Sequence, residues 1–281
     1  MARKGRAPRI CYDRVVPPEL LSPADRDARD AAVRRYVETV NEHSAPVGPF
    51  GYRSFIAHGQ GGLDAAHPVV TARMALVDRT KWPKGYRLRC RFLDGSRTRR
   101  RKVEAKARLW EKHANVRIDF GEDPDAEVRI SFRADAGSWS ALGQECLVRA
   151  YFPAHQPTMN FGWLEDDTSA EEYERVVVHE FGHALGCIHE HQSPSVKLRW
   201  KKSAVYEAFS GPPNFWTKED IDRNVLEKYS PEGLSFTRFD AQSIMLYRFD
   251  GSLFTDGKGT PLNSKLSATD KQMIARMYPR A

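Results

Sequence analysis

The chain has 281 residues, of which 41% are hydrophobic and 29% charged, and it can bury one substantial core or two lobes that face each other across a cleft. No apolar run approaches the roughly 18 residues that a membrane span requires, so no membrane contact is predicted. The basic amino terminus is not followed by an apolar segment. We therefore expect the protein to be cytoplasmic, to leave the cell by a non-classical route, or to have a leader that this sequence lacks.

Positive charge is concentrated in the first part of the chain. Residues 1–110 hold 24 Lys and Arg against 11 Asp and Glu, whereas the whole chain has a net charge of +7. Such a segment permits nucleic-acid binding, but no zinc-finger or RNA-binding signature accompanies it. Much of the charge also falls on one face of a predicted helix. Attraction to the acidic second half or to acidic substrates explains it at least as well, so nucleic acid is not the expected partner.

Residues 1–80 are predicted to be an N-terminal extension rather than a second catalytic domain. A helix is expected at about residues 24–43, where apolar side chains recur with helical spacing. Residues 44–68 are rich in Gly and Pro, which predicts irregular chain. We expect the catalytic domain to occupy residues 81–281.

The catalytic domain is predicted to open with strands and one helix. Alternating apolar and polar residues indicate half-exposed strands, and a very basic segment with inward-facing Val103, Ala107 and either Leu109 or Trp110 indicates a helix. The predicted elements are strands at residues 86–93, 116–120 and 127–132, a helix at residues 96–114, and candidate edge strands at residues 151–152 and 158–161. This order is typical of an α/β-like sheet whose neighbouring strands pair.

The next predicted helix carries the residues with chemical potential. His179 and His183 are four residues apart and lie on one helix face, so both can reach a single metal ion. Glu180 is placed to take a proton from a water molecule on that metal. Gly186 lets the chain leave the helix through a left-handed turn, after which His189 can return as a third ligand. Three protein ligands leave one position open on a tetrahedral zinc ion, which is typical of a catalytic site.

Packing and chemistry agree on the orientation of this helix. Ser169-x-x-Glu172 predicts a capping box at its start. An apolar group clusters on one side of a helical wheel, nearly opposite His179 and His183, and consists of Tyr173, Val177, Phe181, Ala184 and Ile188. One flank is therefore expected to pack on the sheet while the other lines a cleft. Two further helices are predicted at about residues 217–229 and 267–278, and Thr217-x-x-Asp220 and Ser267-x-x-Asp270 resemble their caps.

The motif at residues 179–189, together with Ser243-Ile244-Met245-Leu246-Tyr247, resembles the metzincin clan of zinc endopeptidases. Glu190, which follows the third histidine, and the Met-x-Tyr pattern most resemble the astacin family, in a bacterial or fungal branch near astacins and matrixins. The resemblance covers about residues 82–279. It implies an α+β, α/β-like metzincin (zincin-like) fold. Such a fold has a twisted, mostly parallel sheet and the active-site helix in an N-terminal lobe, and a smaller irregular or helical C-terminal lobe.

The resemblance also implies a zinc-dependent endopeptidase with one catalytic Zn²⁺ ion. The implied zinc ligands are His179, His183 and His189, and Glu180 would be the general base. Tyr247 would touch the metal at rest and swing aside to stabilise the transition state. Met245 would form a hydrophobic floor beneath the histidines, although taken alone Met245 and Tyr247 also fit ordinary packed side chains. No catalytic part is assigned to Glu190, and His113, His155 and His191 are expected to be surface or structural residues.

A protein or peptide substrate would lie extended along a sheet-edge strand in the cleft, with residues 138–142 as a candidate rim, and a monomer is favoured. Astacins are typically secreted and disulfide-bonded, whereas no leader is visible here and the widely spaced cysteines do not invite those pairings. Residues 9–13 loosely resemble a matrixin cysteine switch, so Cys11 or Asp13 is a candidate to block the metal. We therefore hypothesise that residues 1–80 restrain the cleft.

An alternative function from another class is a zinc-binding interaction module whose hydrolytic activity is vestigial. Glu180 argues against this alternative, because binding a metal ion does not require a base beside the ligands.

Overall fold

The computed structural model describes residues 11–14, 16, 80–211, 215–228 and 239–280. The helix predicted at residues 24–43 and the irregular chain predicted at residues 44–68 lie outside these ranges. The strands are β1 Tyr12–Arg14, β2 Arg87–Phe92, β3 Arg117–Phe120, β4 Val128–Ser131, β5 Ser138–Ala141 and β6 Met159–Phe161. The helices are α1 Arg97–Ala107, α2 Ala170–Ala184, α3 Lys202–Ser210, α4 Lys218–Ile221 and α5 Ala268–Met277. No helix in the described ranges is long and apolar enough to cross a membrane.

The six strands form one sheet in the order β1-β5-β6-β4-β2-β3. Strands β2, β3, β4 and β6 are parallel, whereas β5 is antiparallel to β6 and pairs in parallel with β1. Alternate residues of β2 are buried, and all four residues of β4 are buried because this strand lies inside the sheet. The strands predicted in residues 86–132 are therefore confirmed, as is the α+β arrangement with a mostly parallel sheet.

Both predicted edge strands require correction. Strand β6 lies between β4 and β5 rather than at an edge, because β5 covers its second side. Residues 151–152 form a turn, not a strand. Phe152 is buried within this turn and stacks on Trp139, with 6.4 Å between the ring centroids. Its hydrophobicity therefore serves the packing of a loop.

The basic helix α1 forms within the predicted residues 96–114 but ends at Ala107, and a short 3-10 turn follows at Trp110–Lys112. At its start Ser96 accepts a hydrogen bond from the Arg99 backbone N–H. Val103 and Ala107 face the core. Several of its cations have acidic partners within the domain. Arg99 pairs with Glu165, and the Lys106 Nζ lies 2.6 Å from the Glu174 carboxylate. This pairing reduces the charge that α1 offers to an outside polyanion.

Helix α2 begins at the predicted cap, where the Ser169 hydroxyl accepts from the Glu172 backbone N–H at 3.2 Å. Two tryptophan side chains from outside the helix bind backbone carbonyls near its C-terminal end. The indole N–H of Trp110 donates to the Val178 carbonyl, and that of Trp82 donates to the Ala184 carbonyl. The helix is buried on all sides from residue 176 to its end. The prediction is wrong for Ile188, which lies beyond the helix end and is half-buried rather than part of the buried flank.

The C-terminal part is helical and irregular. The capping boxes Thr217-x-x-Asp220 and Ser267-x-x-Asp270 both form, at the starts of α4 and α5. Helix α4 continues into a π-helical turn at Asp222–Leu226. Helix α3 was not predicted, and its first residue follows Lys201, which makes no side-chain capping bond.

Candidate metal centre

Three histidine side chains converge at the end of α2. The Nε2 atom of His183 lies 3.1 Å from Nε2 of His179 and 2.9 Å from Nε2 of His189. Helix α2 places the first two rings one turn apart. Gly186 then turns the chain with a φ of +89°, in the left-handed region that favours glycine, and brings the third ring back. The predicted ligands are thus brought together, and they can hold a metal ion.

Hydrogen bonds fix which nitrogen of each ring carries the proton. Nδ1 of His179 contacts the Ile244 carbonyl and Nδ1 of His183 contacts the Cys187 carbonyl, each at 2.8 Å. Because a carbonyl oxygen can only accept, both Nδ1 atoms must donate. The proton is therefore on Nδ1, and the Nε2 lone pair points toward the common centre.

The third ring is oriented by a side chain rather than by the backbone. The Gln192 amide nitrogen donates to the carbonyls of Arg223 and Glu227, at 2.7 and 3.2 Å. These acceptors fix the amide orientation, so its oxygen faces Nδ1 of His189 at 3.3 Å. The sequence does not predict this role of Gln192, because neither its residue type nor its spacing indicates such a contact.

These distances fit zinc. Tetrahedral Zn²⁺ with Zn–N bonds of about 2.0–2.1 Å places its nitrogen ligands about 3.3 Å apart, close to the distances found here. Three lone pairs that face one another this closely repel unless a cation lies between them. Burial, followed by repulsion from His183, lowers the pKa of both His179 and His189. These directions favour the neutral form of His179 and His189, which is the form that binds a metal ion.

Glu180 and Cys11 lie beside this centre. The Cys11 Sγ atom, a ring nitrogen of His179 and a carboxylate oxygen of Glu180 all lie within 4.8 Å of one another. Both side chains are buried. Burial, and then the Glu180 carboxylate, raise the pKa of the Cys11 thiol well above its ordinary value. Asp13, the other candidate for blocking the metal, is in β1, and its side chain is outside the described part of the chain.

Tyr247 stacks against the histidines. Its ring centroid lies 4.1 Å from that of His189 and 5.0 Å from that of His191. Its hydroxyl donates to the backbone carbonyl of Cys11. His191 is itself buried, and its Nε2 contacts the Asn224 carbonyl at 3.1 Å, which agrees with its predicted structural role.

Met245 packs against helix α2 at Gly182. A methyl group added to Gly182 would lie 2.5 Å from the Met245 sulfur, so only glycine permits this approach. The Met245 carbonyl accepts from the Glu190 backbone N–H at 3.0 Å, which ties the third ligand's loop to this turn. The Asp270 carboxylate at the start of α5 accepts from the Ser243 hydroxyl and the Ile244 N–H, at 2.7 and 2.8 Å. Asp270 thus fixes the position of Ile244, whose carbonyl orients the His179 ring.

The edge of β5 beside this centre is occupied by the chain itself. Strand β1 pairs with β5 so that Tyr12 lies opposite Trp139 and Arg14 opposite Ala141. Beyond the strand, the Val16 N–H donates to the buried Glu145 carboxylate at 2.7 Å. The predicted rim at residues 138–142 therefore includes a strand, and an extended peptide segment already lies along it.

The chain resembles known metalloproteases in sequence and fold. The matrixin family model matches residues 82–210. A solved structure of myroilysin is 43% identical, with a TM-score of 0.70, over 73% of this chain and 98% of that one. A crystal structure of myroilysin is 44% identical, with a TM-score of 0.57, over 72% and 86% of the two chains.

A more distant match is high choriolytic enzyme 1, a hatching enzyme zinc-protease from the medaka fish Oryzias latipes. It is 18% identical, with a TM-score of 0.45, over 71% of this chain and 94% of that one. No curated protein sequence matches the chain.

Proposed function

The chain belongs to the metzincin zinc metalloproteases, and from that premise we propose that it is an endopeptidase with one catalytic zinc ion held by His179, His183 and His189. The observation that carries this proposal is the convergence of three Nε2 lone pairs whose tautomers are fixed by hydrogen bonds at Nδ1. Glu190 and Tyr247 support assignment to the astacin branch.

The proposed mechanism assigns a role to each nearby side chain. Zinc bound at this site would act as a Lewis acid for the scissile carbonyl and would acidify a water molecule. The Glu180 carboxylate takes the proton from the attacking water and later delivers it to the leaving amine. The Tyr247 hydroxyl, which here donates to a peptide carbonyl, donates to the substrate oxygen as negative charge develops on it.

The substrate in this proposal is a protein or peptide in extended conformation. The edge of β5 supports it, since this edge accepts the chain's own segment as a strand. Backbone pairing at a sheet edge gives affinity for any sequence, while side-chain pockets select among sequences.

One substitution separates this proposal from the interaction-module alternative. Glu180→Gln keeps the size of the side chain and leaves all three imidazoles in place, so we expect zinc content near one ion per chain. Loss of the general base should lower kcat about 10²- to 10⁴-fold. Cleavage of a mixed peptide library, read by mass spectrometry with and without chelator, measures the activity. Both proteins also carry Cys11→Ala, which removes the thiol beside the metal centre. Unchanged cleavage on adding Glu180→Gln would sink the proposed role of Glu180, and no chelator-sensitive cleavage by the Cys11→Ala chain would favour the module.

We further propose that the described conformation is latent and that residues 1–80 are an inhibitory extension. Cys11 supports this proposal, because its thiol lies beside His179 and Glu180. In the proposed mechanism the attacking water would occupy this position. Full-length Cys11→Ala should therefore cleave peptides faster than the native chain. Cys187→Ala is the matched control, because Cys187 contributes its carbonyl rather than its thiol to His183. Equal activity of native and Cys11→Ala proteins would contradict the latency.

A further inference from the structure

Three aromatic rings surround the side chain of Arg14. Its guanidinium carbon lies 4.5 Å from the ring centroid of Trp139, 5.1 Å from that of Tyr151 and 5.5 Å from that of Phe152. We call these three rings the aromatic box. All three distances are within the range of about 6 Å in which a cation is attracted to a ring face. The box therefore holds a positive charge by the faces of its rings.

The box has a defined position relative to the metal centre. The same segment places the Cys11 thiol beside His179 and Arg14 in the box, three residues further along. With a rise of about 3.3 Å per residue in a strand, the box lies about 10 Å along the β5 edge from the reaction centre. An extended substrate on this edge would bring one side chain to the same place.

The construction of the box favours a cation over an ordinary apolar group. Tyr151 and Phe152 meet edge to face, with ring centroids 4.8 Å apart, and Trp139 stacks on Phe152. Trp139 and Phe152 are buried, so their positions are fixed by the core. Two residues beyond Arg14, the Val16 N–H donates to the fully buried Glu145 side chain, which places an acidic residue at this end of the β5 edge. A guanidinium is weakly hydrated and planar, which suits it to such a stack.

We propose that the aromatic box is a substrate subsite that selects a basic side chain, Arg or Lys, three residues away from the substrate residue at the metal. In the latent conformation Arg14 fills this subsite in place of substrate. The inference rests on the proposed peptidase function and adds to it a substrate class, namely peptides with a basic residue at that spacing.

The test uses the full-length chain with Cys11→Ala and Arg14→Ala, which removes the thiol from the metal centre and the cation from the box. Its substrates are peptide pairs with Arg or citrulline, an uncharged analogue of Arg, at the third residue on either side of the cleaved bond. On one side, kcat/KM for the Arg peptide should exceed that for the citrulline peptide by about 3- to 30-fold.

Tyr151 provides the matched variants, because it is the least buried ring of the box. Tyr151→Leu removes one ring face and should lower the Arg-to-citrulline ratio about threefold, whereas Tyr151→Phe keeps the face and should leave the ratio nearly unchanged. The subsite is overturned if the Arg-to-citrulline ratio of kcat/KM is one in the Cys11→Ala, Arg14→Ala chain, or if Tyr151→Leu does not alter that ratio.

A binding measurement separates this inference from the peptidase proposal. In the same chain with Glu180→Gln added, fluorescence anisotropy of labelled peptides should show a similar preference for Arg. If the labelled Arg peptide binds better but the Cys11→Ala, Arg14→Ala chain cleaves no peptide, the subsite stands and the peptidase proposal is contradicted. If that chain cleaves peptides with no preference for Arg, the peptidase proposal stands and the subsite is contradicted.

The box could also serve only to anchor the N-terminal segment, and the test includes this outcome. Arg14→Met in the otherwise native chain should speed alkylation of Cys11, read by peptide mapping, whereas Arg14→Lys should do so less. Faster alkylation combined with no preference among substrate peptides would reduce the box to an anchor and overturn the proposal.

Discussion

The substitution Gln192→Leu tests how the third histidine is held. His179 and His183 are oriented by backbone carbonyls, whereas His189 depends on the Gln192 amide. Leucine removes the acceptor and leaves a buried Nδ1–H without this partner, which costs about 1–3 kcal/mol. At about 1.4 kcal/mol per factor of ten, zinc should bind about 10- to 100-fold more weakly.

Competition between the protein and a fluorescent chelator measures this zinc affinity, and urea unfolding of the metal-free protein measures stability separately. Gln192→Glu is the matched control, because it keeps an acceptor for His189 while losing the donor to the carbonyls of Arg223 and Glu227. We expect its zinc affinity to lie closer to native than that of the leucine variant. Native affinity in Gln192→Leu would refute the reasoning and would mean that ring packing alone holds His189.

Three further predictions follow from the same centre. In the Cys11→Ala chain, Tyr247→Phe should lower kcat about 10²- to 10³-fold, as expected for loss of one donor to the oxyanion, with zinc content measured as unchanged. Gly182→Ala should cost about 1–3 kcal/mol in urea unfolding, because the added methyl meets the Met245 sulfur at 2.5 Å, whereas Gly121→Ala has no atom within 4 Å and should be neutral. Burial lowers the pKa of His191 to about 3, so the unfolded chain binds more protons below pH 6.5. Stability should then fall by about 2 kcal/mol between pH 7.5 and 5 from this residue alone, and His191→Phe should flatten that slope.

The predictable part of this protein is local in sequence. The cap at Ser169, the four-residue spacing of His179 and His183, and the left-handed turn at Gly186 each depend on a few neighbouring residues. The capping boxes of α4 and α5 were likewise visible because each spans four residues. Such signals arise from backbone hydrogen bonding and conformational preference, which act over one or two turns of chain.

The rest depends on contacts between distant parts of the chain. The Tyr247 hydroxyl donates to the Cys11 carbonyl, 236 residues away in the sequence. No periodic pattern in the sequence predicts such a contact. Strand β6 was expected at an edge, because its own sequence does not reveal that β5 would pair with its second side. Gln192 was overlooked for the same reason, since its role depends on carbonyls at Arg223 and Glu227. Burial patterns show that a residue packs, but not what it packs against.

Under the proposed latency, substrate and the N-terminal segment compete for one strand edge and one metal position. The segment is covalently attached, so it competes at an effective concentration on the order of millimolar, and micromolar substrate cannot displace it by mass action. A single cut between residues 17 and 79 changes this balance, because the segment is then diluted into solution. We therefore expect full-length protein with a specific protease site placed in that interval to stay inactive at any practical substrate concentration. After cutting and gel filtration its activity should rise toward that of Cys11→Ala. Retention of the cut segment with unchanged activity would show instead that its contacts with β5, Glu145 and the aromatic box suffice to hold it without the tether.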